Sequence, residues 1–130
     1  MPPSRRLRGG GATEVAVKNA TLFPQTMDAY VAAKQLAEVV VRAKIGNSIL
    51  RDQAERAVTS VFLQLAEGLP NDSRPMRRKD FVCARNSLFE LVAATDLAHS
   101  LGALDDATWA AAQELASRLR AMLVALLRAT

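Results

Sequence analysis

The 130 residues carry 17 Lys+Arg against 13 Asp+Glu, a net charge of +4, with one His, one Cys and six aromatic residues. A single cysteine forms no internal disulfide, and one histidine with one cysteine excludes a zinc site of the usual Cys/His kind. The length suits one domain able to bury roughly two-thirds of its unfolded surface, and the bias towards Ala and Leu makes that domain helical.

The charge is unevenly placed. Arg5, Arg6, Arg8 and Lys18 against Glu14 leave residues 1–24 at +3, and the remaining chain at only +1. This Pro/Gly-rich segment has no helical period and reads as a disordered basic arm. Its arginines are followed by no apolar stretch, so no signal peptide is expected. No later segment approaches the roughly 20 apolar residues of a membrane helix. A cytoplasmic protein without membrane partners is the expectation.

From residue 25 to 130 the period becomes that of a four-helix bundle. Thr26 is the expected N-cap of a first helix with Met27, Tyr30, Val31, Lys34, Ala37, Val41 and Ile45 at steps of three and four. Gly46 and Asn47 are expected to end it in left-handed geometry. Ser48 then caps a second helix whose stripe is Leu50, Ala54, Ala57, Val58, Val61 and Leu65, with Gly68 as its stop. Pro70, Asn71 and Asp72 mark a loop. A third helix starts near Pro75 and runs through Phe81, Leu88, Val92 and His99 to Gly102. Asp105 caps a fourth, where Trp109, Ala112, Ala116, Leu119, Leu123 and Leu126 form a heptad seam. Loops this short join antiparallel neighbours, so the expected fold is all-α, an antiparallel up-down-up-down four-helix bundle.

The third helix is unusual. Between Phe81 and Leu101 its only charges are Arg85, Glu90 and Asp96. Phe81, Leu88, Val92 and Thr95 are expected to face the bundle, leaving Val82, Phe89, Leu91 and Leu97 pointing elsewhere. A helix apolar on every side predicts a second contact surface, hence a homo-oligomer.

Catalytic patterns are missing. Asp96 and His99 imitate half of a carboxylate-x-x-His di-iron motif, but no second histidine exists to complete it. His99 suits the helix dipole or solvent. A Cys83–His99 dyad would span about 24 Å along one helix. Gly9-Gly10-Gly11 lacks the lysine of a phosphate loop. Neither an enzyme nor a cofactor or metal is expected.

One polar set stands out. Arg56, Ser60, Leu63 and Glu67 share a stripe of the second helix, and Cys83, Ser87, Glu90 and Ala94 share one of the third. If these stripes meet inside, Arg56 is expected to pair with Glu90, with Ser60 and Ser87 satisfying the leftover hydrogen bonds, because unpaired burial costs several kcal/mol. Arg56, Ser60, Glu67, Ser87 and Glu90 are therefore read as a register-fixing network.

The segment Gln53-Ala54-Glu55-Arg56-Ala57-Val58-Thr59-Ser60-Val61, with Leu65-Ala66-Glu67-Gly68, resembles the signature of the bacterial four-helix-bundle proteins encoded in intervening sequences of 23S ribosomal RNA genes. Arg78-Lys79-Asp80-Phe81, Ala84-Arg85-Asn86-Ser87-Leu88 with Glu90, and Leu101-Gly102 match its second half. The resemblance covers about residues 26–128. Gln64 stands where the family usually carries Asn, Leu65 where it carries Ile, and the arm is additional. The resemblance implies a homopentameric barrel in which Arg56, Glu67, Ser87 and Glu90 hold the fold together, with no established activity. It also implies a fold similar to the accessory variability proteins of diversity-generating retroelements, which bind a reverse transcriptase and its template RNA through a basic surface.

Candidate phosphate contacts are Arg74, Arg77, Arg78 and Lys79 at the turn into the third helix, opposed by Asp72 and Asp80, together with Arg85, Arg118, Arg120 and Arg128. Five copies would total roughly +20, enough for salt-sensitive phosphate binding. With few aromatics to stack on bases, contact is expected to be to backbone and shape. Two functions follow as expectations: a pentameric module that holds RNA or DNA, or serves a reverse transcriptase, and a structural protein-interaction oligomer with no nucleic-acid role.

Overall fold

A computed structural model describes residues 24–130; the basic arm assigned to residues 1–24 and the side chains of Thr26 and Met27 lie outside what it describes, apart from the backbone of Pro24. The described residues form four α-helices and no strand: α1 (Pro24–Ala43), α2 (Ser48–Gly68), α3 (Arg74–Ser100) and α4 (Asp106–Arg128). α1 packs on α2, α2 on α3, α3 on α4, and α4 returns to α1, with α2 and α3 sharing the most extensive contact.

Each later helix starts where a short polar side chain takes over a free backbone N–H. Asn47, not Ser48, caps α2, its Oδ1 accepting from the Leu50 amide at 3.0 Å. Ser73 caps α3 through the Met76 amide at 3.4 Å, with proline in the first turn. The Asp105 carboxylate caps α4, accepting from the Thr108 amide at 2.7 Å and its hydroxyl at 3.0 Å. These bonds favour the charged form and hold Asp105 below the usual carboxylate range.

The helix ends differ from expectation in two places. The left-handed residue after α1 is Lys44, φ 48°, whereas Asn47 is extended as befits a cap. Ile45 then turns inward and is buried, and its carbonyl accepts from Arg51 Nη1 at 3.1 Å. Gly68 ends α2 without positive φ; its lack of a side chain admits the ring of Phe81, as described below. Gly102 takes the left-handed conformation, φ 77°, that closes α3. The Gly46 amide donates to the Ala103 carbonyl at 2.9 Å, tying the α1–α2 turn to the α3–α4 turn.

One core runs the length of the bundle. α2 and α4 bury the expected stripes apart from Leu50 and Trp109, and α3 buries Phe81, Leu88 and Thr95 as expected; Leu50, Trp109 and Val92 are half-buried against the core. Leu91, expected to point away, is buried in the same core. α1 departs further: Tyr30, Val31, Lys34 and Val41 are exposed, and its inner face is Ala29, Ala32, Ala33, Leu36 and Val40. Small side chains let the helix axes approach closely, so an Ala-rich face won over the bulkier neighbouring one.

Candidate nucleic-acid interface

The eight candidate cations do not form one patch. Arg78 Nη1 donates to the Leu127 carbonyl at 3.2 Å, which fastens the start of α3 to the end of α4. Arg128, next in the chain, therefore sits at the same end of the bundle as Arg74, Arg77, Arg78 and Lys79. Arg77 is half-buried and donates to the Asn71 carbonyl at 3.3 Å; Arg74, Lys79 and Arg128 are exposed. Asp72 and Asp80 lie within the same turn and first helical turns but make no ion pair with these cations.

The remaining three are spread along the bundle. Arg85 is half-buried midway along α3, and its Nε is buried without a hydrogen-bond partner. Arg120 lines a groove between α3 and α4, and Arg118 lines one between α1 and α4. A helical step of two residues places them on opposite sides of α4. The sequence clusters Arg74, Arg77, Arg78 and Lys79 and leaves the other four on the third and fourth helices; the Arg78–Leu127 bond adds Arg128 to the cluster.

Of the polar network, the two serines meet each other and serve no buried ion pair: the Ser60 and Ser87 hydroxyls are 2.9 Å apart at the half-buried margin of the α2–α3 contact. Arg56, Glu67 and Glu90 are exposed, and the expected Arg56–Glu90 ion pair is not made within the protomer. The ion pairs among the described residues are Arg42–Glu38 at 3.9 Å and His99–Asp106 at 2.7 Å. Charges left in water carry no desolvation penalty that would force them together. On α2, Ile49, Arg56 and Leu63 recur every seven residues; on α3, Met76, Cys83, Glu90 and Leu97 do the same. Ile49, Leu63, Met76 and Leu97 are all exposed, and Leu101 continues the α3 line at 62% exposure.

His99 is placed more specifically than the sequence suggested. Its ring stacks on Trp109, centroids 4.1 Å apart and nearly parallel, while Nε2 meets Asp106 Oδ1 at 2.7 Å. Asp106 is the first residue of α4 and Trp109 lies one turn in, so the stack locks the α3–α4 corner. The four-residue spacing of Asp105 and Trp109 across a capped helix start was the signal available for it. Asp96 is exposed. Among the described residues no group of His, Cys, Asp and Glu is placed to hold a metal ion, and no described helix is long and apolar enough to cross a membrane.

Four helices around one apolar core, with a cationic end, define an all-helical bundle whose surface rather than an internal cleft carries its polar chemistry. The model of the 23S rRNA-intervening sequence protein family matches residues 25–125. The chain belongs to that family, in agreement with the signature at Arg56–Gly68 and Arg78–Glu90. No curated protein matches the chain.

Proposed function

We propose that this chain is a non-enzymatic homo-oligomeric bundle that holds nucleic acid, RNA first, by contacts to the phosphate backbone, and that such binding serves as an accessory to a reverse transcriptase. The observation that carries the reading is the Arg78–Leu127 bond, which gathers Arg74, Arg77, Arg78, Lys79 and Arg128 at one end of the bundle. Placing cations at the start of α3 opposes its helix dipole, a cost that a bound phosphate reverses. The reading includes an antiparallel, up-down-up-down path, which the Gly46–Ala103 bond between turns and the Arg78–Leu127 bond between the start of α3 and the end of α4 support. The pentamer comes from the family resemblance, and a cytoplasmic location fits the reading.

Self-association is supported by the two outward seven-residue stripes beside Ser60 and Ser87. Apolar residues at that spacing form seams for another helix, and Ile49, Leu63, Met76 and Leu97 have no cover within the protomer. The same observation favours the second reading, a protein-interaction oligomer without nucleic acid.

Titrating structured RNA against the full chain at several salt concentrations separates the two. Backbone contact predicts that log K falls steeply with log salt, and replacing Arg74, Lys79 and Arg128 with Gln flattens the slope by about 2–3 for three lost contacts. An unchanged slope would move the phosphate contacts to the arm or to α4. No binding at low salt would leave the protein-interaction oligomer.

A further inference from the structure

Three grooves on the described surface differ in charge. Between α1 and α4, one is lined by Asp28 with Arg118 and the next by Glu38 with Arg42, so each balances a cation with a carboxylate. The groove between α3 and α4 is lined by Leu88, Phe89, Val92, Gln113, Ala116, Ser117 and Arg120, which include a guanidinium and no carboxylate. Its volume is about 210 Å³, below the roughly 300–1,000 Å³ that takes a drug-sized ligand. A single flat ring fits that scale.

Phe89 supplies what the basic end lacks. It is 49% exposed at the edge of this groove, and an aromatic face open to solvent stacks on any nucleobase. Gln113 and Ser117, on the opposite wall, offer an amide and a hydroxyl to base edges. Arg85 precedes Phe89 by four residues and therefore lies one turn along the same side of α3. Arg85 Nε itself is buried, so a phosphate contact falls to the outer guanidinium nitrogens of this half-buried side chain. Seven residues before Arg85, Arg78 reaches α4 across the same helix pair. The side of α3 that faces α4 thus carries Arg78, Arg85 and Phe89 in one line, leading to the cationic end.

We propose that the α3–α4 groove binds one unpaired nucleotide of single-stranded RNA, with its base stacked on Phe89 and its flanking phosphates met by Arg120 and Arg85. The assignment rests on the reading of the chain as a nucleic-acid-binding bundle, and it adds a preference for unpaired over duplex RNA that backbone contact alone does not give.

The test uses the full chain and an RNA of about 12 nucleotides, within the span one binding fold covers, carrying a single fluorescent 2-aminopurine. The same strand annealed to its complement is the comparison, and every variant is weighed by sedimentation velocity. The expected result is tighter binding of the single strand, with quenching of the fluorophore. Phe89→Ala weakens single-strand binding about tenfold or more and removes the quenching, while Phe89→Tyr retains both, because stacking needs only the ring. Arg120→Gln lowers the salt slope by about 0.7, one phosphate contact on a single strand. If the wild-type protein binds RNA but Phe89→Ala binds and quenches equally well, the groove assignment falls and the proposed function stands. If Phe89→Ala breaks the assembly and loses binding with it, Phe89 is an interface residue and the groove assignment falls. If the wild-type protein binds neither RNA, both readings fall.

Discussion

Replacing Gly68 with alanine separates two explanations for a glycine at the end of α2. A residue that merely stops a helix tolerates a methyl group, and alanine gains about 1 kcal/mol of helix propensity over glycine. Gly68 has no positive φ that would penalise a side chain. A Cβ built there, however, stands 2.9 Å from both Asp80 Cβ and Phe81 Cε1, and 3.2 Å from Phe81 Cδ1. Neither neighbour yields easily: the Phe81 ring is 1% exposed within the core, and the Asp80 Cβ moves only with the backbone of α3. With two unyielding atoms at 2.9 Å, overpacking falls in the upper part of its range, about 2–3 kcal/mol, so after the propensity gain the expected net loss is about 1–2 kcal/mol. For a folded body near 100 residues this corresponds to a fall in Tm of about 5–15 °C. Thermal unfolding by circular dichroism reads it, at matched protein concentration because assembly shifts the midpoint. Phe81→Leu on top of Gly68→Ala should cost less than the sum of the single changes, since the leucine vacates the position the methyl group needs. A Gly68→Ala protein as stable as the wild type would refute the close-approach argument.

Three further outcomes follow from the same coordinates. Ser60→Ala and Ser87→Ala, alone and together, should give a coupling of about 0.5–1.5 kcal/mol in denaturant unfolding, the value of one hydrogen bond; zero coupling would deny the 2.9 Å contact. Leu36→Ala should cost about 2–5 kcal/mol and Val41→Ala under about 0.5 kcal/mol, and a reversed order in urea midpoints would return the core face of α1 to the bulkier stripe. The Asp105 carboxyl titrates lower folded than unfolded, so its contribution is present above the unfolded pKa and lost as pH falls through the folded one. Asp105→Asn should keep the cap but flatten the acid limb of Tm against pH, and an unchanged limb would argue against the Thr108 bonds as the cause.

The bundle was legible in the sequence wherever burial and bulk coincide. On α2 and α4, Val58, Val61, Leu65, Leu119 and Leu123 are bulky, stand at helical spacing and are buried. On α1 they separate: Tyr30, Val31 and Val41 are bulky, yet the neighbouring Ala29, Ala32 and Ala33 face inward. Period alone cannot rank two adjacent stripes when one is wide and the other small. The stripes carrying Ser60 and Ser87 were legible and do meet, but the serines bond each other, because the expected Arg56–Glu90 pair rested on a burial that the exposed rim does not impose. The grouping of Arg128 with the start of α3 was within reach, since an antiparallel third and fourth helix bring those ends together; the bond between residues 49 positions apart makes the contact specific. The Phe89 groove was missed for a different reason: a low count of aromatics says nothing of where one of them stands.

The Gly46–Ala103 bond has a kinetic consequence. Gly46 is exposed to solvent, yet its amide is engaged by a carbonyl from the far half of the chain. Its exchange with deuterium therefore requires the α1–α2 and α3–α4 turns to separate, not merely one turn to fray. That amide is a reporter on the opening that divides α1–α2 from α3–α4, and its protection factor measures how tightly the halves behave as one cooperative unit.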